Sequence, residues 1–327
     1  MATEIHAVRR DTAASATGRP AMPGLLALAV LLLVLIAAPY VLYPVFVMKV
    51  LCFALFACAF NLLIGFAGLL SFGHAAFFGG AAYITAHTVK VWGLPPELGI
   101  LLGTAFSATL GLAFGALAIR RQGIYFAMIT LALSQMVFFM ALQFKFTGGE
   151  DGIQAVPRGH LFGVIDLSQS MSMYYTVLAV FLFGFVVIWR TVHSPFGQIL
   201  KAIRENEPRA ISLGYRTDHY KLMAFVLSAA LAGLAGGTKA IVFQLATLTD
   251  VQWQMSGAVV LMTLLGGIGT LFGPVVGAAL VVTLENYLAA SNLPVPVVIG
   301  VIFVACVLLF RRGIVGEIAA RFAEKRP

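Results

Sequence analysis

Apolar residues run along this chain in stretches near 20 residues long, divided by short polar or glycine-rich breaks. The stretches are apolar on all sides. About 20 helical residues cross the ~30 Å hydrocarbon core of a bilayer. The short segments of period-two alternation that mark a membrane β-barrel are missing. The pattern predicts an all-α fold, a polytopic membrane helical bundle of about ten transmembrane helices. They are expected at 24–43, 45–64, 72–89, 98–119, 123–143, 172–191, 220–240, 252–268, 274–291 and 295–311. The third and eighth are the weakest. Gly65, Gly68 and Gly73 precede the third, and Gly266, Gly267, Gly269 and Gly273 follow the eighth. Either is a candidate broken or re-entrant helix, which is tolerated where it lines a cavity or is buried in protein.

One stretch, 194–214 (SPFGQILKAIRENEPRAISLG), breaks the pattern. It holds Gln198, Lys201, Arg204, Glu205, Asn206, Glu207 and Arg209, in a chain that is 61% apolar and 10% charged. An average soluble domain has about 25% charged residues. Alternating the spans from a cytoplasmic start puts only Lys49, Lys90, Lys145, Arg158 and Lys239 outside, against 16 of the 21 Lys and Arg inside. That asymmetry places both termini and 193–219 in the cytoplasm and 144–171 outside. The domain reading is a cytoplasmic tail at 1–23, a transmembrane domain at 24–312 and a cytoplasmic tail at 313–327. The net charge of +8 is thus a topology signal in short loops and tails, with no nucleic-acid partner implied. The first apolar run lacks a small-residue cleavage site, so residues 1–23 read as a tail and not as a secretory signal. Cys52, Cys58 and Cys306 fall in apolar spans and read as packing residues, with no metal spacing among them.

Small residues recur every four positions at Gly103, Ser107, Gly111 and Gly115, and again at Gly269, Gly273 and Gly277; Gly233 and Gly237 mark another helix. Such spacing lets helix backbones approach closely and implies a tight bundle. No catalytic signature is present. GLAGGTK at 233–239 lacks the order of a phosphate-binding loop, because Thr238 precedes Lys239. No metal or cofactor site is read in this chain. Ion-driven transporters carry ionisable groups at membrane depth. Here the candidates are His74, His87 and Glu285 alone, with His74 read as satisfied by a backbone carbonyl. Their scarcity shifts the driving force to a partner.

Five ordered segments carry a family resemblance. NLLIGFAGLLSFGHAAFFGGAAYI at 61–84 is similar to the Gly-Leu-Leu-Ser-x-Gly-His segment of permeases of branched-chain amino-acid ABC importers. TGGEDGI at 147–153 resembles the outer-loop motif of the LivM-type subunit, and 197–236 resembles its cytoplasmic coupling loop and following span. LGGIGTLFGPVVGAAL at 265–280 and LFRRGIVG at 309–316 match its later patterns. The resemblance implies a type II ABC importer-like permease in a bacterial inner membrane. It would pair with a homologous permease subunit, two ATPase subunits that bind ATP and magnesium, and a periplasmic substrate-binding protein. It also implies a short cytoplasmic helix docking in an ATPase cleft, with Glu205, Ala210 and Gly214 in the family's Glu…Ala…Gly places. Gly197, Arg204 and Leu213 complete the ATPase-coupling candidates.

The residues agree with a structured coupling segment. Ser194-Pro195 reads as a capped helix start, Pro208 opens a second short helix capped by Asn206 or Glu207, and Gly214 ends it. Ala210, Ile211 and Leu213 are expected to form an apolar contact strip. A solvated loop that serves only the positive-inside rule is the competing reading. In the outer loop, Thr147, Gly148, Gly149, Asp151 and Gly152 are the candidates for docking the binding protein, against a plain outer turn. The translocation path is placed at the two glycine-rich breaks, through Gly65, Gly68, Ser71, Gly73, His74, Gly267, Gly269 and Gly273. Branched-chain amino acids are the expected cargo. Urea, amides or aromatic acids through the same family are the alternative, and a stand-alone secondary transporter is the rival class.

Overall fold

The computed structural model describes residues 22–163, 165–289, 297–298, 300–304 and 313–317. They fall into two compact units, Met1–Leu42 and Tyr43–Pro327. In the first, α1 (Met22–Val41) is a 20-residue apolar helix with Pro39 near its end.

The second unit begins with α2 (Pro44–Asn61), which runs on without a break into a π-helical turn, Leu62–Ala67. It continues through α3 (His74–Lys90), α4 (Pro96–Ala118) and α5 (Ile124–Gln143). A loop with a two-residue antiparallel hairpin, β1 (His160–Leu161) and β2 (Ile165–Asp166), leads to α6 (Ser170–His193). The short helices α7 (Pro195–Glu205) and α8 (Glu207–Ser212) follow, then α9 (Thr217–Phe243), α10 (Trp253–Gly266) and α11 (Gly273–Leu288). Prolines in the first turn start α2, α4, α7, α8 and α11, where the missing N–H costs no helix bond.

A helix stands at each predicted span from 24–43 through 274–291. The tenth, 295–311, lies largely outside the described residues, as do Cys306, the first half of 309–316 and most of both predicted tails. Among the described residues, five helices are long and apolar enough to cross a membrane: α2 with its π-turn, α4, α5, α6 and α9. The two weak spans are short. α3 has 17 residues and α10 has 14. At about 1.5 Å per residue, α10 reaches ~21 Å, less than a bilayer core.

α2 is buried along almost its whole length between α6, α9, α10 and α11. α3, α4 and α9 form the tightest packing in the molecule. The glycine spacing explains it. Gly103, Ser107, Gly111 and Gly115 all lie on the buried face of α4. A Cβ at Gly103 would sit 2.8 Å from the Ala81 carbonyl oxygen, and one at Gly115 would sit 2.6 Å from the Leu222 side chain. Gly237 on α9 closes on Thr85 in the same way. Without a hydrophobic drive between helices in lipid, such backbone approach supplies the cohesion. The second stripe is different: Gly269 lies in the α10–α11 connection, so only Gly273 and Gly277 belong to a helix.

Connections gather at two ends. At one, rich in Arg and Lys, the α2–α3 break, the α4–α5 turn, the α7–α8 pair and the α10–α11 break touch one another. At the far end, the loop 144–169 contacts the ends of α3, α4 and α9 and the turn after α9.

Candidate functional site

The polar segment 194–214 is an ordered helix pair. The Ser194 side chain accepts from the Gly197 amide at 3.4 Å and caps α7. Asn206 Oδ1 accepts from the Arg209 amide at 3.1 Å and caps α8, so Asn206 and not Glu207 is the cap. Gly214 takes φ +89° after α8. Its N–H donates to the Ile211 carbonyl at 2.9 Å, and that of Tyr215 to the Ala210 carbonyl at 3.2 Å. Those two bonds form a Schellman stop, which needs a residue free to adopt the left-handed conformation. Glu207 ties the pair to the bundle: it meets Lys221 Nζ at 2.5 Å and accepts from Gln122 Nε2 at 2.8 Å.

The side chains of this pair divide by direction. Gly197, Leu200, Ile203 and Ala210 are buried against the bundle. A Cβ at Gly197 would run into the carbonyls of Thr191 and Val192. The expected strip of Ala210, Ile211 and Leu213 is therefore corrected: Ala210 is 3% exposed, whereas Ile211 and Leu213 are 56% and 69% exposed. At helical spacing a residue's neighbour points to a different face, which puts Ala210 inward and Ile211 outward. Glu205 and Arg209 are also exposed.

Arg204 points back toward the bundle. Its Nη1 donates to the Gly65 carbonyl in the π-turn. Its stem passes over Gly68, where a Cβ would sit 3.0 Å from Arg204 Cγ. The position of a Cβ at Gly269 lies 3.3 Å from Arg204 Nη1. Lys201 lies over the Phe66 ring at 5.7 Å. A cavity of about 300 Å³ is lined by Gly65, Phe66, Lys201, Arg204, Glu205 and Gly269. Beneath it, the buried Asn61 donates to the Thr270 carbonyl at 2.8 Å and accepts from the Gly269 amide at 2.9 Å. Two sets of residues read separately from sequence, the coupling segment and the glycine breaks, thus meet at Arg204, Gly65, Gly68 and Gly269.

The remaining path candidates lie elsewhere. Ser71, Gly73 and His74 lead into α3 inside the protein. The Gly73 amide donates to Ser71 Oγ at 3.1 Å, the Phe72 amide to Thr130 Oγ1 at 3.1 Å and the Ala75 amide to Ser256 Oγ at 2.9 Å. These hydroxyls satisfy the amides of the α3 start, which water would otherwise have to reach. His74 Nε2 meets Ser228 Oγ at 2.8 Å, and Ser228 donates on to the Ala59 carbonyl at 2.6 Å. The partner of His74 is therefore a hydroxyl and not the backbone carbonyl expected from sequence. Gly267 and Gly273 stay with the α10–α11 break, where the Thr270 side chain donates to the Gly267 carbonyl and accepts from the Gly273 amide.

The sequence model of the family described as "Branched-chain amino acid transport system / permease component" matches residues 42–310. The chain belongs to this family. The permease is 28% identical over 256 residues to the high-affinity branched-chain amino acid transport system permease protein LivM of Salmonella typhimurium. That alignment covers 71% of this chain and 60% of LivM. LivM of Escherichia coli is 27% identical over the same shares. The ribose import permease protein RbsC of Bacillus subtilis is 29% identical over 239 residues, 68% of this chain and 70% of RbsC. The permease thus spans about 60% of the length of the LivM relatives it matches. No solved structure matches. The LivM-type resemblance read from the motifs is borne out.

At the far end of the permease, the Thr-Gly-Gly motif is held by the fold. Thr147 is 6% exposed and its hydroxyl donates to the Ala141 and Phe144 carbonyls at 2.5 and 2.7 Å. Gly148 and Gly152 have φ of +80° and +66°, and a Cβ on Gly152 would strike the Ala246 carbonyl. Ile153 pairs with Ala246 in an antiparallel bridge. Thr147 and Gly152 therefore shape the loop, while Glu150 and Asp151 stand exposed on it. Deleting 150–158 would remove that bridge, so charge reversal is the cleaner probe. If a binding protein docks on this loop, as the resemblance implies, Glu150→Lys with Asp151→Lys lowers uptake without lowering yield, measured as transport from the loaded binding protein. Unchanged uptake would leave the loop a plain outer turn.

Sequence reasoning missed two features. Lys239, read as an outer-loop charge, is buried within α9 and bonds both carboxylate oxygens of Asp250 at 2.8 and 2.6 Å. Asp250 also accepts from the Thr247 amide and hydroxyl, each at 3.2 Å. Asn61 was the second. It opened the first motif but was not singled out, since its partners lie 208 and 209 residues away.

Proposed function

We propose that the permease is the membrane-spanning subunit of an ATP-driven importer for leucine, isoleucine or valine. It has no ATPase site of its own. Two ATPase subunits dock on α7–α8, a homologous permease completes the pathway, and a periplasmic binding protein delivers cargo to the far end. The basic end then faces the cytoplasm of a bacterial inner membrane, with both termini on that side. The observation that carries this reading is the α7–α8 pair. It is capped at every turn, fastened to the bundle through Glu207, and presents exposed Ile211 and Leu213 beside Glu205 and Arg209. Apolar side chains left in water on a rigid, polar-rimmed helix suit a protein partner. Branched-chain cargo is supported by the family and by the LivM relatives' names. Ribose and autoinducer 2 in the names of other relatives favour a second reading, the same machine with a different solute.

The test is affinity purification in mild detergent with the neighbouring transporter genes co-expressed. An ATPase is expected to co-purify, and Ile211→Asp with Leu213→Asp should reduce its recovery about tenfold or more, the loss of two apolar anchors. Labelled leucine, ribose and urea uptake by the purified complex decides the cargo. Ion-gradient-driven uptake by this chain alone, with no ATPase bound, would overturn the reading.

A further inference from the structure

We infer that Arg204 is a positioning residue, the releasable half of a clasp that joins the coupling helices to both glycine-rich breaks, with Asn61 as its fixed half. This rests on the docking of an ATPase to α7–α8 proposed above.

The clasp is built from three segments distant in sequence. Gly65 in the π-turn and Gly269 in the α10–α11 break touch backbone to backbone: a Cβ on Gly65 would lie 2.7 Å from the Gly269 nitrogen and 2.9 Å from its Cα. Asn61 secures that contact with both faces of its amide, one to the Thr270 carbonyl and one to the Gly269 amide. It is 2% exposed, so water does not compete for either bond. Arg204 then spans the same junction from outside, through the Gly65 carbonyl and alongside Gly269. In contrast to Asn61 it is an exposed residue, and it borders a cavity of about 300 Å³. Its described partner is a backbone carbonyl and no carboxylate pairs with it among the described residues. A guanidinium at a helix's carbonyl end is favoured where it sits, yet this is one part-buried bond from an exposed side chain, and on leaving it the guanidinium regains water as a partner.

The consequence is directional. Movement of α7 away from the bundle removes Arg204 from Gly65 while Asn61 keeps the two breaks together. Movement of α7 along the bundle drags both breaks as one body. The π-turn Leu62–Ala67 ends the α2 run where Arg204 attaches, and π-helical turns are frequent at functional sites. α7 is therefore coupled to the π-turn after α2 through Arg204 and, by way of Asn61, to the α10–α11 break, beyond its covalent link to α6 and, through α8, to α9.

The experiment uses the complete complex in proteoliposomes with loaded binding protein, reading leucine taken up per ATP hydrolysed. Arg204→Gln is expected to lower that ratio about tenfold, within the range of coupling energies between sites, with both rates taken per ATPase recovered. Arg204→Lys, which still offers a cationic donor to the Gly65 carbonyl, is expected to recover at least half of it. A second reading is independent of transport. With Cys52, Cys58 and Cys306 replaced by alanine, a bismaleimide should link Phe66→Cys to Lys201→Cys in the nucleotide-free complex and less so with a non-hydrolysable ATP analogue. Arg204→Gln should reduce the nucleotide-free yield as well. An unchanged uptake-to-hydrolysis ratio in Arg204→Gln would overturn the clasp. So would uptake and hydrolysis falling in parallel with no rescue by lysine, the behaviour of a purely structural residue. If the unaltered chain retains no ATPase, the docking reading fails first and the coupling role falls with it.

Discussion

Asp250→Leu is expected to destabilise the permease by about 3–5 kcal/mol, the usual consequence of removing one partner from a buried ion pair. Lys239 would be left without its counter-ion at a site where its side chain is 10% exposed, with no other carboxylate bonded to it among the described residues. The loss also releases the Thr247 amide and hydroxyl, so the turn from Thr247 to Val251 would loosen at the start of α10. That turn bridges to the far-end loop through Ala246 and Ile153, which spreads the damage. The check is thermal unfolding in detergent, followed by reaction of the buried thiols Cys52 and Cys58 with a fluorogenic maleimide. A drop of about 5 °C corresponds to that loss for a chain of this size. Lys239→Met with Asp250→Leu should recover much of it, because no charge then remains buried. A single variant that melts with the unaltered protein would show that water already reaches the pair.

Gly65→Val is expected to abolish uptake, with at least a tenfold fall, while the chain still inserts. A Cβ at this position meets backbone atoms of Gly269, which cannot rotate aside as a side chain would. Relief requires the two breaks to separate, which lengthens both Asn61 bonds and removes the seat of Arg204. Overpacking of this kind costs about 1–3 kcal/mol. The expected outcome is a folded protein with a displaced junction. Gly257→Ala is the control: it lies within α10, and a Cβ there meets nothing within 4 Å. Its uptake and melting temperature should match the unaltered protein. Equal uptake by Gly65→Val and Gly257→Ala would mean that the junction plays no part in transport.

Both expectations depend on contacts that pattern reading could not supply. Lys239 and Asp250 are 11 residues apart across a turn, and each alone resembles an ordinary loop charge beside an apolar span. A signal did exist: Thr247 and Asp250 have the spacing of a capping box, which marked an ordered turn after α9. Arg204 was singled out as a coupling residue, but its direction toward the bundle depends on how α7 lies on the π-turn. The outer Thr-Gly-Gly motif was legible as non-random punctuation; its buried hydroxyl was not.

By itself, the sequence determined where helices exist and how the α7–α8 pair is capped. In lipid every backbone amide must be bonded within its own segment, so an apolar run of sufficient length has little choice but helix. Ser194, Asn206 and Gly214 act on neighbours within five residues. Only the tertiary structure decided that α3 and α10 are short, that Lys239 is buried, and that the two glycine breaks meet under Arg204. Those outcomes follow from helix crossings, which at the clasp bring together atoms 139 to 209 residues apart through backbone groups that every sequence carries alike.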